Sequence, residues 1–170
     1  MKQNYLIFNY IFFLFFSFSF ICRTHAEQSD FPRNSVYYEL GGTGWSEISL
    51  NYERILPLSE KVKFAPGIGF ATSHLSYVGG TVSIKNAQLF MPVQLNFLFG
   101  KSRHLFELGY GMPLAFKDKA FGLVGNIYAL RLGYRFQPLK KGLLFRISFT
   151  PGFASIIPVP MGGISLGYSF

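Results

Sequence analysis

The chain has 170 residues, of which 49% are apolar, 19% aromatic and only 14% charged, with 16 basic and 8 acidic residues for a formal net charge of +8. This composition is too apolar for an intrinsically disordered chain, and the length allows one domain. One cysteine, Cys22, leaves no disulfide framework.

Residues 1–26 carry the marks of a secretory signal. Lys2 is followed by an apolar run from Tyr5 to Cys22, and then by Thr24 and the small residue Ala26 ahead of Glu27. The alternative is an uncleaved anchor, since a run of 18 residues can just cross a bilayer. Bulky Phe20 and Ile21 stand where lipidation of Cys22 would need small residues. Cleavage takes Lys2 and Arg23 from the 16 basic residues, leaving 14 against 8 acidic ones in a mature chain of 144 residues without cysteine. Residues 27–33 then form a short N-terminal segment, and 34–170 the folded unit.

Beyond residue 26 no stretch repeats apolar residues at helical spacing. Period two recurs instead, in segments of roughly ten residues. In chain order the apolar set runs through Val36, Tyr38 and Leu40; Ile48, Leu50 and Tyr52; Val62, Phe64, Ile68 and Phe70; then the odd positions from Leu89 to Phe99. It continues through Phe106, Leu108, Tyr110 and Met112; the even positions from Tyr128 to Phe136; Phe145, Ile147, Phe149 and Phe153; and Ile164, Leu166, Tyr168 and Phe170. Eight strands are expected. Pro66, Pro92, Pro113 and Pro151 fall inside them, where each removes a ladder donor, so bulges, early strand ends and one-residue slips of face are expected there.

The connections alternate in length. "PLSEK", "GKSR" and "PLKKG" make tight polar turns at one end; at the other lie a minimal "GTG" hairpin tip at 42–44 and longer segments around 73–84, 116–125 and 154–161. That alternation predicts an all-β, eight-stranded, antiparallel up-and-down transmembrane β-barrel. The bulky apolar set is too large to fill so narrow an interior, so it should face lipid. The opposite face offers glycines and serines together with Glu39, Glu47, Glu53 and Glu107 against Lys63, Arg131, Arg135 and Arg146. Four charges of each sign can pair inside, whereas a basic residue on the lipid face costs about 2–4 kcal/mol at mid-bilayer. A closed, salt-bridged core is the expectation. Aromatic residues from Tyr52 to Phe170 cluster at the short-turn rim as an interfacial girdle.

With these features the chain resembles the small eight-stranded outer-membrane barrels of Gram-negative bacteria, the OmpX and OmpA-barrel type, over residues 34–170. The resemblance implies residence in the bacterial outer membrane, outer-membrane lipids as surroundings, a monomer and no cofactor. It also implies that a final strand ending in an aromatic residue is read by the barrel assembly machinery. Leu166, Tyr168 and Phe170 of "ISLGYSF" match that signal, with Ser165 where a glycine is usual. No feature of the loops transfers a ligand.

Candidate chemistry is sparse. Some barrels of this size remodel lipid A acyl chains with His, Ser and an acidic group, for which His74, Ser73 or Ser76, and Asp118 are the candidates here. His104 lies at the opposite end, so the two mature histidines cannot share a metal. "GGTG" lacks the lysine and helix of a phosphate cradle. Lys101, Arg103, Lys140 and Lys141 place cations in two short turns, open to solvent or to phospholipid headgroups. Basic residues scattered over turns and lumen do not form a nucleic-acid-binding face. The expected role is non-enzymatic, structural or surface-interacting; a lipid A-modifying enzyme and a narrow channel are the alternatives. Mass spectrometry of membrane-purified protein should find a chain beginning at Glu27, and an intact Met1 would support the anchor instead.

Overall fold

The computed structural model describes residues 31–170 except 79–80, 118–119, 124–126 and 155–156, and leaves out the side chains of 73–88, 115–126 and 154–157. The expected signal segment and residues 27–30 lie outside the described residues. Eight long strands are present: β1 Asn34–Gly41, β2 Ile48–Arg54, β3 Val62–Val78, β4 Thr81–Phe99, β5 His104–Lys117, β6 Ile127–Phe136, β7 Gly142–Phe149 and β8 Gly162–Ser169. Each pairs antiparallel with the next, and β8 returns to β1 through pairs such as Val36↔Tyr168 and Tyr38↔Leu166. The eight strands therefore close into a barrel. Short segments, Ala120–Leu123, Gly152–Ala154 and Ile157–Val159, extend the pairing at the end opposite the tight turns.

Side chains alternate across each strand, as the extended backbone requires. In β1 the even positions Val36, Tyr38 and Leu40 are exposed on the outside, while Ser35, Tyr37 and Glu39 are buried. The same alternation holds through β2 and β7. Buried side chains are mostly polar, and the exposed ones are Leu, Ile, Phe and Tyr around the whole circumference. This inverts the arrangement of a water-soluble barrel.

Each proline marks an interruption on one side of its strand, and at Pro66, Pro92 and Pro151 the register is the same on both sides of it. Pairing of β2 with β3 stops at Glu53↔Gly67 and resumes at Leu56↔Phe64 in the same register. Pro66 lies opposite that gap, and the Ile55 N–H turns to the Arg33 carbonyl at 2.6 Å. The pairs Ile68↔Val93 and Ala71↔Phe90 likewise keep one register across Pro92. Near Pro113 the pairing of β5 with β6 ends at Gly111↔Ala129 and continues as Leu114↔Leu123 in a shifted register. Pro151 separates β7 from Gly152–Ala154, and Phe153 beyond it still stacks on Tyr128, centroids 5.0 Å apart. The expected one-residue slip therefore does not occur at Pro66, Pro92 or Pro151, because a missing N–H removes one bond without adding a residue to the strand.

The β1–β2 connection differs from the expected hairpin tip. Gly42, Thr43 and Gly44 form a buried 3₁₀ turn folded into the lumen. Gly41 and Gly42 enter it at φ 70° and 84°, a region glycine adopts without strain. A Cβ on Gly42 would stand 2.6 Å from Glu39 Oε1, and one on Gly111 of β5 would stand 2.6 Å from Thr43 Cβ. Only bare backbone leaves room for this plug.

Leu132 of β6 is 48% exposed on the outer face. Its neighbour Gly133 faces inward, where a Cβ would come 2.8 Å from the Ile147 carbonyl oxygen, so any side chain there would disturb the strand pairing. The comparison that isolates the outer face is Leu132→Arg against Leu132→Phe. In urea refolding into lipid vesicles the arginine should cost about 2–4 kcal/mol and the phenylalanine less than about 1 kcal/mol; equal losses would contradict a lipid-facing Leu132.

Candidate functional site: a buried charge network

Three arginines and three glutamates meet inside the barrel, and the strand register puts them there. Glu39 of β1 lies opposite Ser165 of β8, which lies opposite Arg146 of β7, which in turn lies opposite Arg135 of β6. Like charges directly across a ladder repel, so the Arg146–Arg135 step needs carboxylates beside it. Glu53 comes from β2 and Glu107 from β5 to supply them.

Arg146 is the centre. Its Nη2 is 3.3 Å from Glu39 Oε1, and its Nη1 is 2.9 Å from Glu107 Oε1 and 3.8 Å from Glu53 Oε2. Its Nε donates to Ser165 Oγ at 3.1 Å, and its guanidinium carbon stands 4.3 Å from the centroid of the Tyr37 ring. Arg131 Nη2 donates to Glu39 Oε1 at 2.6 Å and to Thr43 Oγ1 at 2.9 Å, which ties the inserted turn to the network. Arg135 Nη1 lies 2.6 Å from Glu53 Oε1, and Arg135 Nε donates to Gln137 Oε1 at 2.8 Å. All six charged side chains are 0% exposed.

Hydrogen bonds spread from this cluster in both directions. Tyr37 donates to Gln94 Oε1, Gln94 donates to Asn51 Oδ1, and Asn51 donates to Ser49 Oγ at 2.7 Å. Asn96 donates to Glu53 Oε2 at 3.1 Å. Toward the tight turns, Gln137 donates to Ser169, whose hydroxyl is 2.9 Å from that of Ser35. Below these lies a small apolar cluster of Ile55, Ala65, Leu98 and Leu105 with Phe31 packed against it. The lumen is filled by side chains from end to end of this central section.

Two of the expected interior charges stand apart from the network. Glu47 is exposed in the β1–β2 connection and not interior, because the inserted turn ends the alternation of β1 before residue 47. Lys63 is buried, yet its Nζ donates to the Gly100 carbonyl at 2.9 Å and lies 5.1 Å from the Phe31 ring centroid. The charge balance inside is thus three against three, plus one lysine held by a carbonyl and a ring. Sequence reading missed Tyr37, Asn51, Gln94 and Asn96 as network members. The available signal was parity, since each is two residues from another inward polar side chain.

Leu166, Tyr168 and Phe170 are exposed on the outer wall of β8. Phe170 continues the ladder past β8, exchanging backbone hydrogen bonds with Asn34 at 2.8 and 3.0 Å. His104 is at the short-turn rim, its Nδ1 2.6 Å from the Tyr134 hydroxyl. The side chains of His74, Ser73, Ser76 and Asp118 lie outside the described residues. Among the described residues no group of three or more His, Cys, Asp or Glu could hold a metal ion.

No family model matches the chain, and no curated protein matches it. Among solved structures the chain is similar to the outer membrane protein Ail of Yersinia pestis in a phospholipid bilayer nanodisc, with 15% identity and a TM-score of 0.46. The match covers 82% of this chain and 99% of that one.

Removing one partner from a buried ionic cluster strands the others, which typically costs about 3–5 kcal/mol. Arg146→Met should lower stability by about that amount in urea refolding. Adding Glu107→Gln should recover part of the loss, since one carboxylate no longer lacks its cation. A double variant as damaged as the sum of the single ones would contradict this coupling.

Proposed function

We propose that this protein is an integral β-barrel of the bacterial outer membrane, exported by its signal segment, monomeric, and serving a structural or surface-interaction role. The observation that carries this reading is the inverted polarity of the barrel. Bulky apolar side chains form a continuous exposed band far larger than the patches of a few hundred Å² usual on soluble monomers, while ionised groups fill the interior. Lipid is the solvent that suits such a surface, and a closed barrel is one of two structures that satisfy every backbone polar group within it. In this class the tight turns face the periplasm and the longer connections the exterior.

The filled lumen favours a closed barrel over a narrow channel. A continuous water path would have to cross the plane in which Arg146 touches Glu39 and Glu107. The reading is non-enzymatic and needs no cofactor. Leu166, Tyr168 and Phe170 would present the assembly machinery with an apolar stripe along the final strand, and outer-membrane lipids would surround the wall.

Outer-membrane fractions should contain the folded protein, which should migrate differently in a gel before and after boiling. Recovery in the soluble fraction with unchanged migration would contradict the proposal. Deleting Phe170 should reduce the folded amount in cells far more than it alters the purified barrel. One rim aromatic contributes about 1.5–3 kcal/mol of apolar burial, whereas loss of a recognition element acts before insertion. Normal cellular yield from both the deletion and Phe170→Ala would leave Phe170 as an ordinary rim residue.

A further inference from the structure

We infer that the short-turn end of the barrel is a docking surface for anionic phospholipid headgroups, an inference that rests on the membrane reading above. The charged residues are sorted by position. Inside, three arginines neutralise three glutamates. At the short-turn end, cations stand almost alone. Lys101 and Arg103 are exposed in the β4–β5 turn, Lys140 and Lys141 in the β6–β7 turn, and Lys61 in the β2–β3 turn. Arg54 is exposed at the end of β2, with Arg33 just ahead of β1. The acidic residue among them is Glu60, which pairs with Lys101. The hydrogen bond from Lys101 and its charge hold the Glu60 carboxyl below the usual carboxylate range, so that pair persists at neutral pH and Lys101 alone is partly spent.

Geometry turns this charge into a lipid-facing collar. Tyr52 lies two residues from Arg54, Phe99 two from Lys101, Phe106 three from Arg103, and Phe136 four from Lys140. Tyr52, Phe99 and Phe106 are exposed on the outer wall. Rim aromatics pack in pairs along it, Phe64 with Phe97 at 5.1 Å and Phe99 with Phe106 at 6.3 Å between centroids. Girdles of aromatic residues flank the apolar band of such a barrel at its two interfaces. Arg54 lies two residues beyond Tyr52 on β2, roughly 7 Å at about 3.3 Å per residue, and the other cations sit in the turns beyond the strand ends, on the headgroup side of the rings. Lysine and arginine there attract anionic lipid within a Debye length. Because the turns alternate with strands around the ring, the cations surround the barrel and do not form one patch, as a headgroup shell requires and a single protein partner does not.

The test is native mass spectrometry of the barrel released from nanodiscs of phosphatidylglycerol and phosphatidylcholine in equal amounts. Retained lipid should favour phosphatidylglycerol by roughly fivefold, the factor expected of one basic group near a charged surface. The preference should fall toward parity in the variant carrying Lys101→Ala, Arg103→Ala, Lys140→Ala and Lys141→Ala. It should survive Lys85→Ala and Lys117→Ala, whose positions on β4 and β5 lie toward the other end. The exposed turn positions leave the interior untouched, and Lys140→Ala with Lys141→Ala gives a milder second variant that should show an intermediate preference. A preference that the turn variants leave unchanged, or that the Lys85 and Lys117 changes abolish, overturns the inference while the barrel stands. Failure of the native chain to fold into lipid, read from identical boiled and unboiled migration, overturns both.

Discussion

Arg146 touches three carboxylates at once, and the interior of the barrel is arranged around that contact. A guanidinium offers five donors in a rigid fork, so it can serve Glu39, Glu107 and Ser165 together where a lysine could not. Ionised groups taken out of water are tolerated only when each is paired and hydrogen-bonded. The register meets this demand by bringing Glu39, Ser165, Arg146 and Arg135 into one row across four strands. The carboxylates of Glu53 and Glu107 then separate the two arginines. Lengthening or slipping any of these strands by one residue would send a charge outward into the apolar band.

The network also explains the unusual β1–β2 connection. Arg131 requires an acceptor besides Glu39, and Thr43 supplies it only because Gly41, Gly42 and Gly44 let the turn bend into the lumen. Gly111 on β5 is the matching vacancy. Trp45, which follows the turn, anchors it by donating from Nε1 to the Tyr128 carbonyl at 3.2 Å. The far end of the central lumen is thereby stoppered by backbone, and the near end by Phe31 and its apolar cluster. Closure of the central lumen follows from packing these charges and their partners together.

Much of this was legible in the sequence, for a physical reason. Side chains on a strand alternate strictly, and bulky apolar groups outside with charge inside make the alternation between Leu132 and Arg131, or Phe145 and Arg146, unusually sharp. Strand number and faces follow from it. Glu47 was misplaced because parity cannot be carried through a turn that folds inward, and nothing in "GGTG" distinguishes an inward turn from an exposed tip. Tyr37 was missed because tyrosine suits either face, although its odd position between Ser35 and Glu39 turns it inward, where its ring lies over Arg146. The partner of Lys63 is a backbone carbonyl, and no side-chain pattern announces one. Pro66 and Pro92 suggested a slip because sequence shows a lost donor but not that the register resumes unchanged beyond it, as Glu53↔Gly67 and Leu56↔Phe64 do.

The sealed ionic interior can be read directly from hydrogen exchange of arginine side chains by NMR, with the mature barrel folded in nanodiscs. Its six arginines divide into Arg131, Arg135 and Arg146 within the lumen and Arg33, Arg54 and Arg103 toward the short-turn rim. Three slowly exchanging guanidinium signals and three fast ones are predicted. Fast exchange at all six would mean a water-filled lumen and would contradict the closed network.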